Sequence, residues 1–232
     1  TLVALNQRKR KLMMRVSGSL VKHLGLQMYS GAVPALAELV SNSWDAMATE
    51  VIVKIPLDRP LQNTDEIIVE DNGHGMTWQE CQDKYLNIGR ERRRFEGDYA
   101  ESFNTLPKRK VMSRKGIGKL AGFGIADRVE VRTVRNGEVT HFGMSFSDIE
   151  RVRTSLNEYS PESLSDDGIK TNEKPGTKIV LKDLKLRRGI NSEAFYTSFR
   201  RRFAILDDPS FKVWINEHVI EKRELDFQFR FP

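Results

Sequence analysis

Apolar residues at 36, 39, 40, 44 and 47 recur with the spacing of one helical face, and Pro34 sits where a first turn tolerates a missing amide. Residues 35–48 therefore predict a helix. The period then changes. Residues 49–56 (TEVIVKIP) and 66–70 (EIIVE) are β-branched and alternating, which predicts two strands joined by a turn over 58–65. A looser helical repeat, Leu20, Leu24 and Met28, runs through residues 17–29 and is broken by Ser30-Gly31. Residues 128–135 and 138–146 alternate around Asn136-Gly137, a pair that accepts the positive φ a two-residue hairpin turn needs. Residues 176–182 (GTKIVLK) predict another strand, 192–206 a helix, and 212–220 (KVWINEHVI) a last full strand with Trp214 in the core.

Three stretches depart from these periods. Residues 77–115 begin with a short helix over 78–86 and continue as polar chain with aromatic residues only at 95, 99 and 103, which predicts a lid rather than framework. Residues 116–126 (GIGKLAGFGIA) open with glycines and become helical and apolar. Residues 147–175 are polar and turn-rich and predict a loop with little regular structure. The order helix, two strands, lid, helix, hairpin, strand, helix, strand predicts an α+β fold, a mostly antiparallel mixed sheet with helices on one face.

Composition adds exclusions. The 232 residues are 39% hydrophobic and 30% charged, a balance that suits a folded core and excludes disorder throughout. No run approaches the ~18 apolar residues of a membrane-spanning helix. The first residues also lack a signal-peptide pattern. The expectation is no membrane partner, and a cytoplasmic location in a bacterium or a nuclear one in a eukaryote. One cysteine, Cys81, excludes an internal disulfide framework, and four histidines argue against a Cys/His zinc site. Lys and Arg number 38 against 32 Asp and Glu, a net charge of +6. Arg8, Lys9, Arg10, Lys11, Arg15 and Lys22 all precede the first acid, Glu38; removing those six leaves 32 cations against 32 acids. The excess therefore lies in the N-terminal region. Residues 1–16 read as a basic arm: a solvated leader, a DNA contact through residues 8–15, or a contact to an acidic partner or second subunit. Residues 17–232 read as one domain, and the strand-like close at Phe231-Pro232 predicts further domains beyond residue 232.

Four features carry chemistry. Glu38, Asn42 and Asp45 interrupt the first helix at spacings of four and three, which puts them on one face. On an otherwise apolar helix such groups need partners or a ligand, although an exposed polar face gives the same spacing. Asp71-Asn72-Gly73-His74-Gly75-Met76 follows a strand. A carboxylate there can accept from an exocyclic amine, and alternate glycines let backbone approach a flat ring, while Asp-Asn-Gly alone is equally an ordinary turn. Arg114-Lys115-Gly116-Ile117-Gly118-Lys119 leads through Leu120 into an apolar helix, and glycine amides at a helix start beside cations suit a polyphosphate. Residues 102–126 hold six cations (Lys108, Arg109, Lys110, Arg114, Lys115, Lys119) and no acid. The spacing matches neither a P-loop nor a Rossmann fingerprint, and a basic surface loop is the plain alternative. Gly176-Thr177, the fourth feature, opens a strand.

In this order, across residues 20–184, the four motifs resemble the GHKL ATPases, the Bergerat-fold family of DNA gyrase B, the large heat-shock chaperones, histidine kinases and MutL-type repair proteins. The resemblance implies a two-layer sandwich with a long ATP lid over about 77–115. It implies that Glu38 is the general base that activates water, that Asn42 ligates Mg²⁺, and that Asp45 and Ala46 line the nucleotide side of the helix. Asp71 would bind the adenine amino group, Gly73, Gly75 and Met76 would wall the ring, and Thr177 would join the adenine water network. Gly116, Ile117 and Gly118 would hold phosphates, with Arg114 and Leu120 in the same segment. Lys115 and Lys119 are the candidates to offset negative charge in the transition state. Ile88-Gly89-Arg90 resembles the start of the lid in MutL- and MORC-like members, and the nearest resemblance is to MORC-like and MutL-like bacterial ATPases. Ser113 stands where many relatives have a further glycine.

The implied function is Mg²⁺-dependent binding and slow hydrolysis of ATP. Lid closure and self-association on ATP binding would switch a longer protein, in DNA-related or defence processes. Two other readings stay open. One is a nucleotide-gated DNA- or protein-binding module with negligible catalysis. The other is a histidine kinase catalytic domain, for which His23 is the one upstream acceptor and lacks the expected sequence context. Cys81 reads as an ordinary helix residue, and Arg200-Arg201-Arg202 as a solvated basic face.

Overall fold

In the computed structural model, which describes residues 11–15, 31–88, 97–100, 108–112, 118–152, 158–186, 188–202 and 208–221, strand alternation becomes one buried sheet face. The elements run β1 (Met14–Arg15), α1 (Ala32–Asp45), β2 (Glu50–Lys54), β3 (Ile67–Asp71), α2 (Trp78–Glu80), β4 (Ala126–Arg135), β5 (Glu138–Ser145), α3 (Phe146–Val152), β6 (Glu158–Tyr159), β7 (Glu162–Ser163), β8 (Gly176–Leu184), α4 (Ser192–Arg202), β9 (Lys212–Ile215) and β10 (His218–Val219). Among the described residues, eight strands form one sheet in the order β10-β9-β2-β3-β8-β4-β5-β7, with β2–β9 its one parallel pairing. The architecture is the expected α+β sandwich with a mostly antiparallel sheet.

Register explains both the core and the site. Ile215, Val53, Val69, Ile179, Val131 and Phe142 stand opposite one another across six strands and form an inward apolar row, none more than 7% exposed. Two residues along, the next inward row is Val213, Val51, Asp71, Thr177, Thr133 and Thr140. It turns polar over the four strands β3, β8, β4 and β5. Leu36, Leu39, Val40 and Trp44 of α1 are buried in the same core as these strands, and α4 packs beside α1 with Phe195 and Phe199 buried. Burial of each such side chain contributes about 1.5–3 kcal/mol. The helix α1 has no side-chain cap at Gly31; it ends at Asp45, after which Met47 takes φ 60.

The Asn136-Gly137 hairpin forms as expected, with φ 54 and 69 at the two turn positions. Other elements differ from expectation. The helix predicted over 78–86 is a single α-turn with a Thr77–Glu80 capping box, continued as a π-helical turn over Cys81–Tyr85. Gly118–Gly124 is a 3-10 helix, since glycines at 118, 122 and 124 weaken a longer α ladder. Within 147–175, α3 packs Phe146 and Ile149 into the core, and β6 and β7 add short pairings. The single strand expected over 212–220 breaks at Asn216, φ 53, whose carboxamide pairs with the backbone N and O of Ile55. Trp214 points away from the buried Val213 and Ile215 and is half-buried on the opposite sheet face, not in the core. The helix expected over 17–29 lies outside the described residues.

Part of the expected basic arm is built into the domain. Leu12 and Met14 are buried, Met13 exchanges two 2.8 Å hydrogen bonds with the Gln82 carboxamide, and β1 pairs with β6. Residues 1–10 lie outside the described residues. Among the described residues, no helix is long and apolar enough to cross a membrane.

Candidate functional site

The polar row of the sheet meets α1 at Asp71. Ser43 Oγ donates to its Oδ2 at 2.9 Å and Gly73 N to its Oδ1 at 2.9 Å. Burial raises the Asp71 pKa to about 6, while hydrogen bonds from Gly73, Ser43 and Thr177 pull it back. The ionised group is an acceptor only, with lone-pair capacity beyond those three bonds, which suits a donor edge such as an exocyclic amine. His74 N donates to Ala46 O at 2.9 Å, tying this loop to the end of α1. Gly75 has φ +64, and a Cβ there would stand 2.0 Å from Val134 O, so only glycine lets the loop lie against β4. Met76 N donates to Thr133 Oγ1 at 2.9 Å, and Thr133 Oγ1 lies 3.1 Å from Thr177 Oγ1.

Glu38 lies five residues before Ser43, about 8 Å along the helix axis at 1.5 Å per residue. It is half-buried, and loss of water raises its pKa; Arg202 opposes that shift and Asp45 reinforces it. A base held above the usual carboxylate range is suited to take a proton from water. Gly118 lies directly against it: a Cβ there would be 2.5 Å from Glu38 Oε2. Asn42 is half-buried one turn further on, and no hydrogen bond occupies its carboxamide among the described residues. Its oxygen is of a kind that can ligate a cation. Among the described residues, no cluster of three His, Cys, Asp or Glu could hold a metal by itself. A divalent ion here would draw its other ligands from phosphate and water, as Mg²⁺ commonly does.

Not every expected residue meets the site in its expected manner. The Lys119 ammonium donates to Lys84 O and, at 3.2 Å, to Asn87 O, holding the 3-10 segment against residues 84–87. Ile88 and Leu120 are buried core residues. Asp45 is buried, and its Oδ1 accepts from Met112 N at 2.7 Å. Gly89, Arg114, Lys115, Gly116 and Ile117 lie outside the described residues, as does Ser113.

Two short segments within the expected lid are tied to the end of α1. Residues 97–100 and 108–112 pair through a Tyr99–Lys110 bridge, and Ala100 and Val111 bury against Met47. Trp44 Nε1 donates to Lys110 O at 3.0 Å. The Arg109 guanidinium stacks 4.3 Å from the Trp44 ring centroid, donates to Ala48 O, and donates to Ser210 O and Oγ at 2.9 and 2.8 Å. The end of α1, residues 108–112 and the segment before β9 are thereby clamped together.

Sequence reasoning missed Ser43, Thr133 and Arg202. A serine in an apolar helix and a threonine in a strand carry no distinguishing pattern; the strand register is the signal for Thr133. Arg202 is solvent-exposed at the end of α4, as its basic run suggested, yet its charge acts on Glu38. The buried Cys81 thiol is pushed up by loss of water and is inert, as expected.

The family described as "Histidine kinase-, DNA gyrase B-, and HSP90-like ATPase" matches residues 29–177. The chain belongs to this family. The matched span contains the Glu38–Asp45 face, Asp71–Met76 and Gly118, and closes at Thr177, so the family assignment and the polar row coincide. A relative in Herpetosiphon aurantiacus, described as "Putative type II restriction enzyme HgiDII", is 35% identical over 209 residues, 89% of this chain and 32% of the relative. The chain thus spans about a third of that relative's length.

Proposed function

We propose that this GHKL-type domain binds ATP between α1, the Asp71–Met76 loop and the 3-10 segment, and hydrolyses it slowly to ADP and phosphate. The carrying observation is the Asp71 carboxylate at the end of the polar row, held by Gly73 and by Ser43, which shares α1 with Glu38. Asp71 accepts from the adenine amine. Glu38 orients the attacking water and receives its proton. Asn42 would hold Mg²⁺, which would neutralise charge on the phosphates when bound. Gly118 leaves the Glu38 carboxylate uncovered, and Lys119 keeps the 3-10 segment in place.

The lid over 77–115 closes over ATP from its clamped root, and closure drives self-association that switches a longer protein. The name of the Herpetosiphon relative supports a DNA-directed role for that longer protein. Residues 8–15 remain a DNA contact in this reading only through their cationic side chains, because Leu12 and Met14 face the core.

Phosphate release tests the catalytic half of the proposal. Glu38→Ala should bind ATP as the wild type does and lose turnover by a factor of about 10²–10⁴. Unchanged turnover would remove Glu38 from the reaction.

A further inference from the structure

One hydroxyl in the polar row has its hydrogen-bond capacity completely assigned. Thr133 Oγ1 lies 2.9 Å from Met76 N, 3.0 Å from Gly176 O and 3.1 Å from Thr177 Oγ1. A hydroxyl offers one proton and two lone pairs. Met76 N can only donate, so it takes one lone pair. Gly176 O can only accept, so it takes the proton. The second lone pair is left for Thr177, which must donate its own proton to Thr133. Thr133 is 0% exposed, so water offers no competing arrangement.

The consequence falls on Thr177. With its proton directed into the protein, its hydroxyl turns only lone pairs toward the site. Thr177 stands opposite Asp71 in the β3–β8 register, and the ionised Asp71 is likewise an acceptor. Two adjacent acceptors favour a ligand edge that donates and penalise one that presents an oxygen, because the mismatched groups would be buried unpaired.

We infer that Thr133 is a positioning residue that sets base specificity: by holding the Thr177 hydroxyl as a donor into the sheet, it makes the Asp71–Thr177 edge select a 6-amino purine over a 6-oxo purine. Thr133 touches no ligand itself. The inference rests on the ATP-site reading and deepens it.

The test is a calorimetric titration of wild type, Thr133→Val and Thr133→Ser with Mg²⁺ complexes of non-hydrolysable ATP and ITP analogues, which differ at the 6-position. Wild type should prefer the ATP analogue. Thr133→Val should cut that preference about tenfold, mainly by weakening the ATP analogue, while Thr133→Ser should stay within about twofold. Thr133→Ala gives the same readout should the valine variant not fold. Equal weakening of both analogues would mark Thr133 as merely structural and overturn the inference. Equal binding of the two by wild type would overturn it too, and leave the ATP-site reading intact. No binding of either by wild type would remove that reading, and the inference with it.

Discussion

Gly118 lies against the carboxylate of Glu38, so close that a Cβ at 118 would stand 2.5 Å from Glu38 Oε2. The obstructed atom is the far end of a flexible side chain, so the cost of added bulk falls on the position of the base rather than on the fold. Gly118→Ala should change stability by no more than about 0.5 kcal/mol, yet lower ATP turnover at least tenfold with the adenine end unaffected. Thermal melting and phosphate-release assays separate the two effects.

Asp71 provides a pH signature. Its folded pKa of about 6 lies above the ~3.9 of an unfolded aspartate. The folded chain therefore holds more protons than the unfolded chain between about pH 4 and 6. Its contribution makes stability fall as pH rises through that window and level off above it. ATP needs the ionised form and competes with the proton, so binding should release protons near pH 6. Binding enthalpies in two buffers of different ionisation enthalpy should diverge at pH 6 and converge near pH 8. Asp71→Asn should abolish the divergence.

Arg109 ties residues 108–112 to the end of α1 by charge and stacking together. Arg109→Ala leaves Ala48 O and Ser210 O without their donor and removes the cation from the Trp44 face. Urea unfolding should show a loss of about 2–4 kcal/mol. Trp44→Phe, which keeps a ring but loses the bond to Lys110 O, should cost about 1 kcal/mol.

Gly75 faces backbone rather than side chain. An alanine there would need the φ of +64 and would meet Val134 O at 2.0 Å, so the loop must move. Gly75→Ala should lower stability by about 1–3 kcal/mol and weaken ATP binding more than tenfold. Denaturant midpoints together with calorimetric affinity would check both.

The helical period of α1, the Asn136-Gly137 turn and the alternating strands were legible because each is a local rule expressed in neighbouring residues. The Glu38–Asn42–Asp45 face was legible for the same reason. Thr133 was not, because threonine is a good strand former on either sheet face, and only pairing with β5 and β8 turns it toward Asp71. Asp45 found its partner in Met112, 67 residues away, a distance no periodic pattern spans. Asn216 broke an apparently continuous strand by using its side chain as a substitute for backbone. Trp214, expected in the core, lies on the outer face because it alternates with the buried Val213 and Ile215. The glycines of 118–124 read as a helix start, whereas their density limits the segment to a 3-10 turn on the sheet.

A calorimetric titration of a non-hydrolysable ATP analogue with Mg²⁺ into wild type and Asp71→Asn tests the central claim most directly. The account predicts saturable binding at one site per chain in wild type, weakened at least tenfold in Asp71→Asn, with the variant still folded. Absence of binding to wild type, or equal affinity in the two proteins, would contradict it.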